Sequence, residues 1–115
     1  MNTKKQGVVK FLIYRDKGDS MSTAVCLTFD IVEHGKDLEE LKNSIEEAAR
    51  IHLESVVANK LNDGLLNRSA PQKYWKILFE AMEAKENSTN QEKNKQEIPA
   101  VSDIWNRSSK ELVTA

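Results

Sequence analysis

Few residues of this 115-residue chain could do chemistry: two histidines, one cysteine and scattered carboxylates. A nucleophile needs a base within reach and a metal needs several converging donors, so spacing decides what these residues can be. Cys26 is alone, which excludes an internal disulfide and a thiolate metal set, and no basic neighbour is present to lower its pKa. It reads as an inert strand residue. His34 stands beside a turn glycine and reads as solvent-exposed. His52 falls within an apolar helical stripe and reads as a half-buried packing residue with a polar tip. Asp16, Asp19, Asp30 and Glu33 could collect a divalent ion, but their spacings are the ordinary ones of turns and strand ends. A carboxylate–metal RNA-processing site around Asp30 therefore ranks far below a binding role. The sequence holds no phosphate-cradling glycine loop, no zinc spacing and no basic-aromatic stacking motif. The expectation is a protein that binds rather than turns over, with no catalytic residue, no metal and no cofactor.

Charge says what it would bind. The 17 basic and 18 acidic residues nearly cancel, so no global field draws the chain to a phosphate backbone, and no direct DNA binding is expected. No apolar run approaches a membrane span, and MNTKKQG leads into a strand-like segment without a signal pattern. A cytoplasmic protein with no membrane partner is expected. Residues 37 to 64 carry seven acidic groups against three basic ones, an acidic helix in an otherwise balanced chain. Such a face could attract a basic partner if it is exposed.

The elements that would position these residues follow from hydrophobic period. Val8 to Arg15 alternates, with Val9, Phe11 and Ile13 on one face, and reads as a strand buried on one side. The turn formers DKGDS lead to Thr23 to Asp30, where Val25, Leu27 and Phe29 share a face opposite Ala24, Cys26, Thr28 and Asp30. The two make a hairpin. Ile31 to Gly35 continues as a third strand or a bent extension of the second. Asp37 can cap a helix, with Glu40 placed for a capping box, and the stripe Leu38, Leu41, Ile45, Ala48, Ala49, His52, Leu53 and Val56 should lie on the sheet. The pattern fades between Asn59 and Asn62, before a stop at Asp63-Gly64.

Ser69-Ala70-Pro71-Gln72 reads as a second capping box that opens a helix over about 70–84. Its stripe of Tyr74, Ile77, Leu78, Ala81 and Met82, widened by Trp75 and Phe79, must find an apolar surface on the sheet or on another chain. From Glu86 to Glu97 no apolar residue occurs, which reads as a linker. The last residues recover Ile98, Val101, Ile104, Trp105, Leu112 and Val113, enough for a short binding motif. The expected class is α+β: an antiparallel sheet of about three strands packed on a long amphipathic helix, then a second helix and a disordered tail. Residues 1–85 would form the domain and 86–115 the linker and tail.

In this order of elements, Val8 to Val57 resembles the HicB-like antitoxin family. The likeness is carried by Ala24-Val25-Cys26-Leu27-Thr28-Phe29-Asp30-Ile31-Val32-Glu33-His34-Gly35, followed by Lys36-Asp37-Leu38-Glu39-Glu40-Leu41 and the stripe ending Ile51-His52-Leu53-Glu54. Gly35, Asp37 and Glu40-Leu41 stand where that family has its glycine, its capping residue and a Glu-Ala pair. The resemblance implies a non-catalytic domain that covers a small, basic, RNA-cleaving HicA-like toxin and blocks its active site, or an orphan relative that binds another protein. The sequence departs from the family in lacking a Pro-Gly pair at the end of the second strand. It also has no ribbon-helix-helix or helix-turn-helix module after the domain, so autoregulation through DNA is not expected. Partner-binding candidates are Glu39, Glu46 and Glu47 on the acidic helix, Trp75 on the second helix, and Ile104, Trp105 and Leu112 in the tail. The alternative reading is a structural or adaptor protein that recruits its partner through that tail motif. An unpaired sheet edge also makes a homodimer an expectation.

Overall fold

The structure, a computed structural model, describes residues 1–16, 18–86 and 100–114. Its elements are β1 (Val8–Arg15), β2 (Ser22–Cys26), β3 (Ile31–Gly35), α1 (Leu38–Ala58), a 3-10 turn (Asp63–Leu66), α2 (Gln72–Glu86), β4 (Ala100–Ser108) and α3 (Ser109–Thr114). The strands form one antiparallel sheet in the order β3-β2-β1-β4. This is the expected α+β class, with a long helix on the sheet and a second helix after it.

The strand count is four rather than about three, because residues 100–108 pair along the whole of β1 instead of lying in a tail. β4's alternation is masked in the sequence by Asp103 and Arg107, which share the face of Trp105 and find their counter-charges on α1. Between Ile13↔Asp103 and Tyr14↔Val101 the register slips, leaving Ser102 as the extra residue of a β-bulge. The expected linker lies outside the described residues except for Glu86.

β1 therefore becomes an inner strand, and it is buried on both faces rather than on one. Val9, Phe11 and Ile13 pack with Ala24 and Cys26 beneath α1, whose Leu41, Ile45, Ala49, Leu53 and Val56 are buried as their spacing required, whereas Leu38, at the helix start, is 45% exposed instead of lying on the sheet. Leu12, Tyr14, Val25 and Leu27 face the other way and meet Leu78 of α2. Asp37 caps α1 by accepting the Glu40 amide at 3.0 Å, and the helix ends at Ala58, with Asn59 as its C-cap.

β2 stops at Cys26, four residues short of the expected strand end. The Asp30 amide bonds the Cys26 carbonyl at 2.9 Å, and Asp30 sits at φ 61°, so the chain turns through Leu27–Asp30 and reverses the alternation. Phe29 is thereby delivered to the α1 side, while Leu27 stays on the α2 side. Ile31–Gly35 is a true third strand.

After the 3-10 turn the chain passes to the other sheet face, tied to the Leu27–Thr28 carbonyls by the Ala70 amide at 2.8 Å and the Ser69 amide at 3.2 Å. The expected capping box at Ser69 does not form. Ser69 has φ 55°, and its hydroxyl instead accepts the Trp75 indole N–H at 3.0 Å.

Candidate partner-binding surfaces

Three sets of residues were candidates for contact with a partner, and the fold distributes them differently. On α1, the buried stripe turns Glu39, Glu40, Asn43, Glu47 and Glu54 to solvent. Glu39 and Glu40 occupy the first turn, where the helix dipole favours carboxylates. Arg50 bonds Glu47, and reaches Glu54 at 3.2 Å. Its guanidinium, hydrogen-bonded to Glu47, holds that carboxyl below the usual range. Glu39, Glu40, Glu47 and Glu54 thus line one solvent-facing surface on which Arg50 pairs with Glu47 and Glu54, and this is the acidic face anticipated for a basic partner.

Glu46, one position away, points elsewhere. A single carboxylate oxygen of Glu46 accepts both the Trp105 indole N–H at 2.6 Å and the Arg107 Nε–H at 2.7 Å. One turn earlier, Lys42 reaches Asp103 at 2.8 Å and lies 4.6 Å from the Trp105 ring centroid. Trp105 itself stacks on Phe11, with centroids 5.0 Å apart and planes 12° from parallel. Leu112 is buried in the same core, and Ile104 packs on the α2 side. Ile104, Trp105 and Leu112 are therefore body residues of β4 and α3, not members of a free tail.

On α2, Leu78 is buried, while Tyr74, Trp75 and Ile77 are half-buried against the sheet. Phe79 and Met82, expected in the same stripe, are 57% and 48% exposed. The reason is width: apolar residues run round more of this helix than one sheet face can cover. Trp75, Phe79, Lys73, Lys76, Glu80 and Glu83 line a shallow outward groove of about 530 Å³, with Trp75 and Phe79 ring centroids 6.2 Å apart. Trp75 and Phe79 were expected to find an apolar surface on the sheet or on another chain; the charged residues of the groove were not expected as contacts. The signal for the groove was present, as apolar residues too numerous for one stripe.

The chemistry-bearing residues are placed as follows. Cys26 is fully buried, and burial pushes its thiol up to about 12, so no thiolate nucleophile is available at neutral pH. His52 lies 4.7 Å from the Phe29 ring, with Nε2 2.6 Å from the Leu65 carbonyl. A carbonyl only accepts, so that nitrogen carries the proton and the ring serves packing. His34 is exposed on the edge strand β3, with Nδ1 3.1 Å from the Thr23 hydroxyl. Among the described residues no group of three or more His, Cys, Asp or Glu side chains converges as a metal set would. Among the described residues no helix is long and apolar enough to cross a membrane.

Comparison with protein-family models, with curated proteins and with solved structures found no match.

Proposed function

We propose that this chain is a non-catalytic protein-binding domain of HicB-like type, which masks a small basic partner, a HicA-like RNA-cleaving toxin being the partner the resemblance implies. The observation that carries the reading is the outward face of α1, where Glu39, Glu40, Glu47 and Glu54 face solvent and Arg50 bridges Glu47 and Glu54. A protein that handles RNA presents a positive surface to it, and an acidic helix competes for that surface by the same electrostatics. The order of elements that carried the resemblance, a hairpin, a strand ending at Gly35 and an Asp37-capped helix, supports it as well. A cytoplasmic setting belongs to the same proposal. The adaptor reading finds no support of its own, because Trp105 and Leu112 are spent on intramolecular packing.

The test is affinity capture of the tagged chain from its native lysate at low and moderate salt. A small basic protein should appear in stoichiometric amount, cleave RNA when isolated, and be silenced by added chain. The variant Glu39→Lys/Glu40→Lys/Glu47→Lys should release it. Absence of any stoichiometric partner, or a partner held equally by that variant, refutes the proposal.

A further inference from the structure

The charges of α2 run against its own dipole. A helix prefers acids in its first turn and bases in its last, because its N-terminus is partially positive and its C-terminus partially negative. Over Gln72–Glu86 the outward groove reverses this order. Lys73 and Lys76 come first, Glu80 and Glu83 second, and the first turn has no acid. None of these four makes an ion pair with another described residue. Alongside these charges the surface is apolar, with Trp75 and Phe79 in the groove and Met82 exposed beside it. For a lone helix this is a poor arrangement, with a dipole opposed by its side chains and aromatic surface left in water.

We propose that this face is covered by α2 of a second copy of the chain, packed antiparallel about a two-fold axis near Phe79. The antiparallel register that sets Lys73 against Glu83 of the second copy also sets Lys76 against its Glu80; it leaves Trp75 within one residue of its Met82 and the two Phe79 rings two residues, about 3 Å, out of step, within reach of their side chains. The two dipoles then oppose one another, and each charge meets its complement. A parallel pair would instead set lysine on lysine, so the charge order selects the orientation. The surface lies on the sheet face opposite α1 and is independent of the acidic face proposed for the basic partner.

A helix of 15 residues is about 22 Å long, so the contact is smaller than the roughly 800 Å² per partner of standard interfaces. A dissociation constant on the order of 10 μM is expected. Sedimentation equilibrium on the full chain should show a concentration-dependent monomer–dimer equilibrium, weakened roughly tenfold or more by Phe79→Glu. Lys73→Glu/Lys76→Glu makes the face wholly acidic and Glu80→Lys/Glu83→Lys makes it wholly basic. Each variant alone should be monomeric, and a one-to-one mixture should form a heterodimer at least as tight as the wild-type pair. Recovery on mixing shows that neither variant lost binding by unfolding. Orientation is read from cysteine variants: Lys76→Cys should cross-link to Glu80→Cys faster than to itself. A wild type that stays monomeric at all concentrations overturns the proposal and gives the face to a different chain. A dimer retained by both charge variants, or no recovery on mixing, overturns it as well.

Discussion

Replacing Trp105 by alanine removes, in one step, three of the contacts that hold β4 to the α1 side of the body, leaving Lys42–Asp103 and Arg107–Glu46 in place. The ring lies on Phe11 at 5.0 Å, takes the Lys42 ammonium at 4.6 Å and donates to Glu46 at 2.6 Å. About 100 Å² of apolar surface is lost for a half-buried tryptophan, which at about 25 cal/mol/Å² is ~2.5 kcal/mol. Residual burial in the denatured chain trims this by roughly a quarter. The aromatic stack adds ~1 kcal/mol and the cation–π contact ~0.5 kcal/mol. The net expectation is a loss of about 3 kcal/mol, a large part of the roughly 5–15 kcal/mol that holds a domain of this size folded. Urea unfolding followed by far-UV circular dichroism should show a lower midpoint with an unchanged slope. Trp105→Phe, which keeps the stack and loses the N–H donor, should cost only about 1 kcal/mol. A Trp105→Ala loss below about 0.5 kcal/mol would refute the reasoning, because a residue on a free tail contributes nothing to the body.

Three further outcomes follow from single sites. Asp37→Ala deletes the N-cap of α1 and should lower stability by about 1 kcal/mol in the same assay, with an unchanged midpoint as the contrary result. Cys26 should resist a disulfide reagent at pH 8 until urea unfolds the chain; rapid stoichiometric labelling of the folded protein would show that the burial is wrong. Asp63 beside Lys4, Glu47 beside Arg50 and Glu111 bonded to the Ser108 amide are all held below the ordinary carboxylate range in the folded chain. Groups shifted this way stabilise fully above their unfolded pKa and lose that contribution as pH falls through the folded one. The urea midpoint should therefore fall between about pH 5 and about pH 3, and fall less in Asp63→Asn; a midpoint flat across that window contradicts the pairing.

What the sequence could show was whatever depends on near neighbours along the chain. The period of α1, the Asp37 cap and the strand at β1 are local, and all three are present, although β1 is buried on both faces and not on the one its alternation implied. β4 was hidden because its α1-side positions are Asp103, Trp105 and Arg107, which look like a wet strand until Lys42 and Glu46 are placed opposite them. The same holds at the N-terminus. There the Asn2 amide donates to Asn67 at 2.8 Å, and the Asn67 side chain returns a bond to the Asn2 carbonyl at 2.9 Å, across a separation no periodicity reports. The end of β2 failed for a different reason. A left-handed aspartate at Asp30 turned the chain where composition alone favoured a longer strand. For the candidate surface, Glu39 and Glu47 were legible as the wet side of an amphipathic helix. The excess of apolar residues on α2 was legible too, but which of them face outward was not, because that requires knowing how much of the helix the sheet can cover.

Because α1 and α2 lie on opposite faces of one sheet, the two proposed contacts make separable demands on any complex. A chain that pairs through α2 and masks a basic partner through α1 should form an assembly of two copies and two partners, since neither surface obstructs the other. Phe79→Glu should then halve the mass measured by light scattering while the basic partner stays bound. The α1 substitution Glu39→Lys/Glu40→Lys/Glu47→Lys should release the partner and leave self-association unchanged. Sites this far apart with no shared side chains are expected to act additively, so the combined variant should give a free monomer. If Phe79→Glu instead released the basic partner, that partner would sit on α2, and the acidic face of α1 would be no more than the solvated side of a helix.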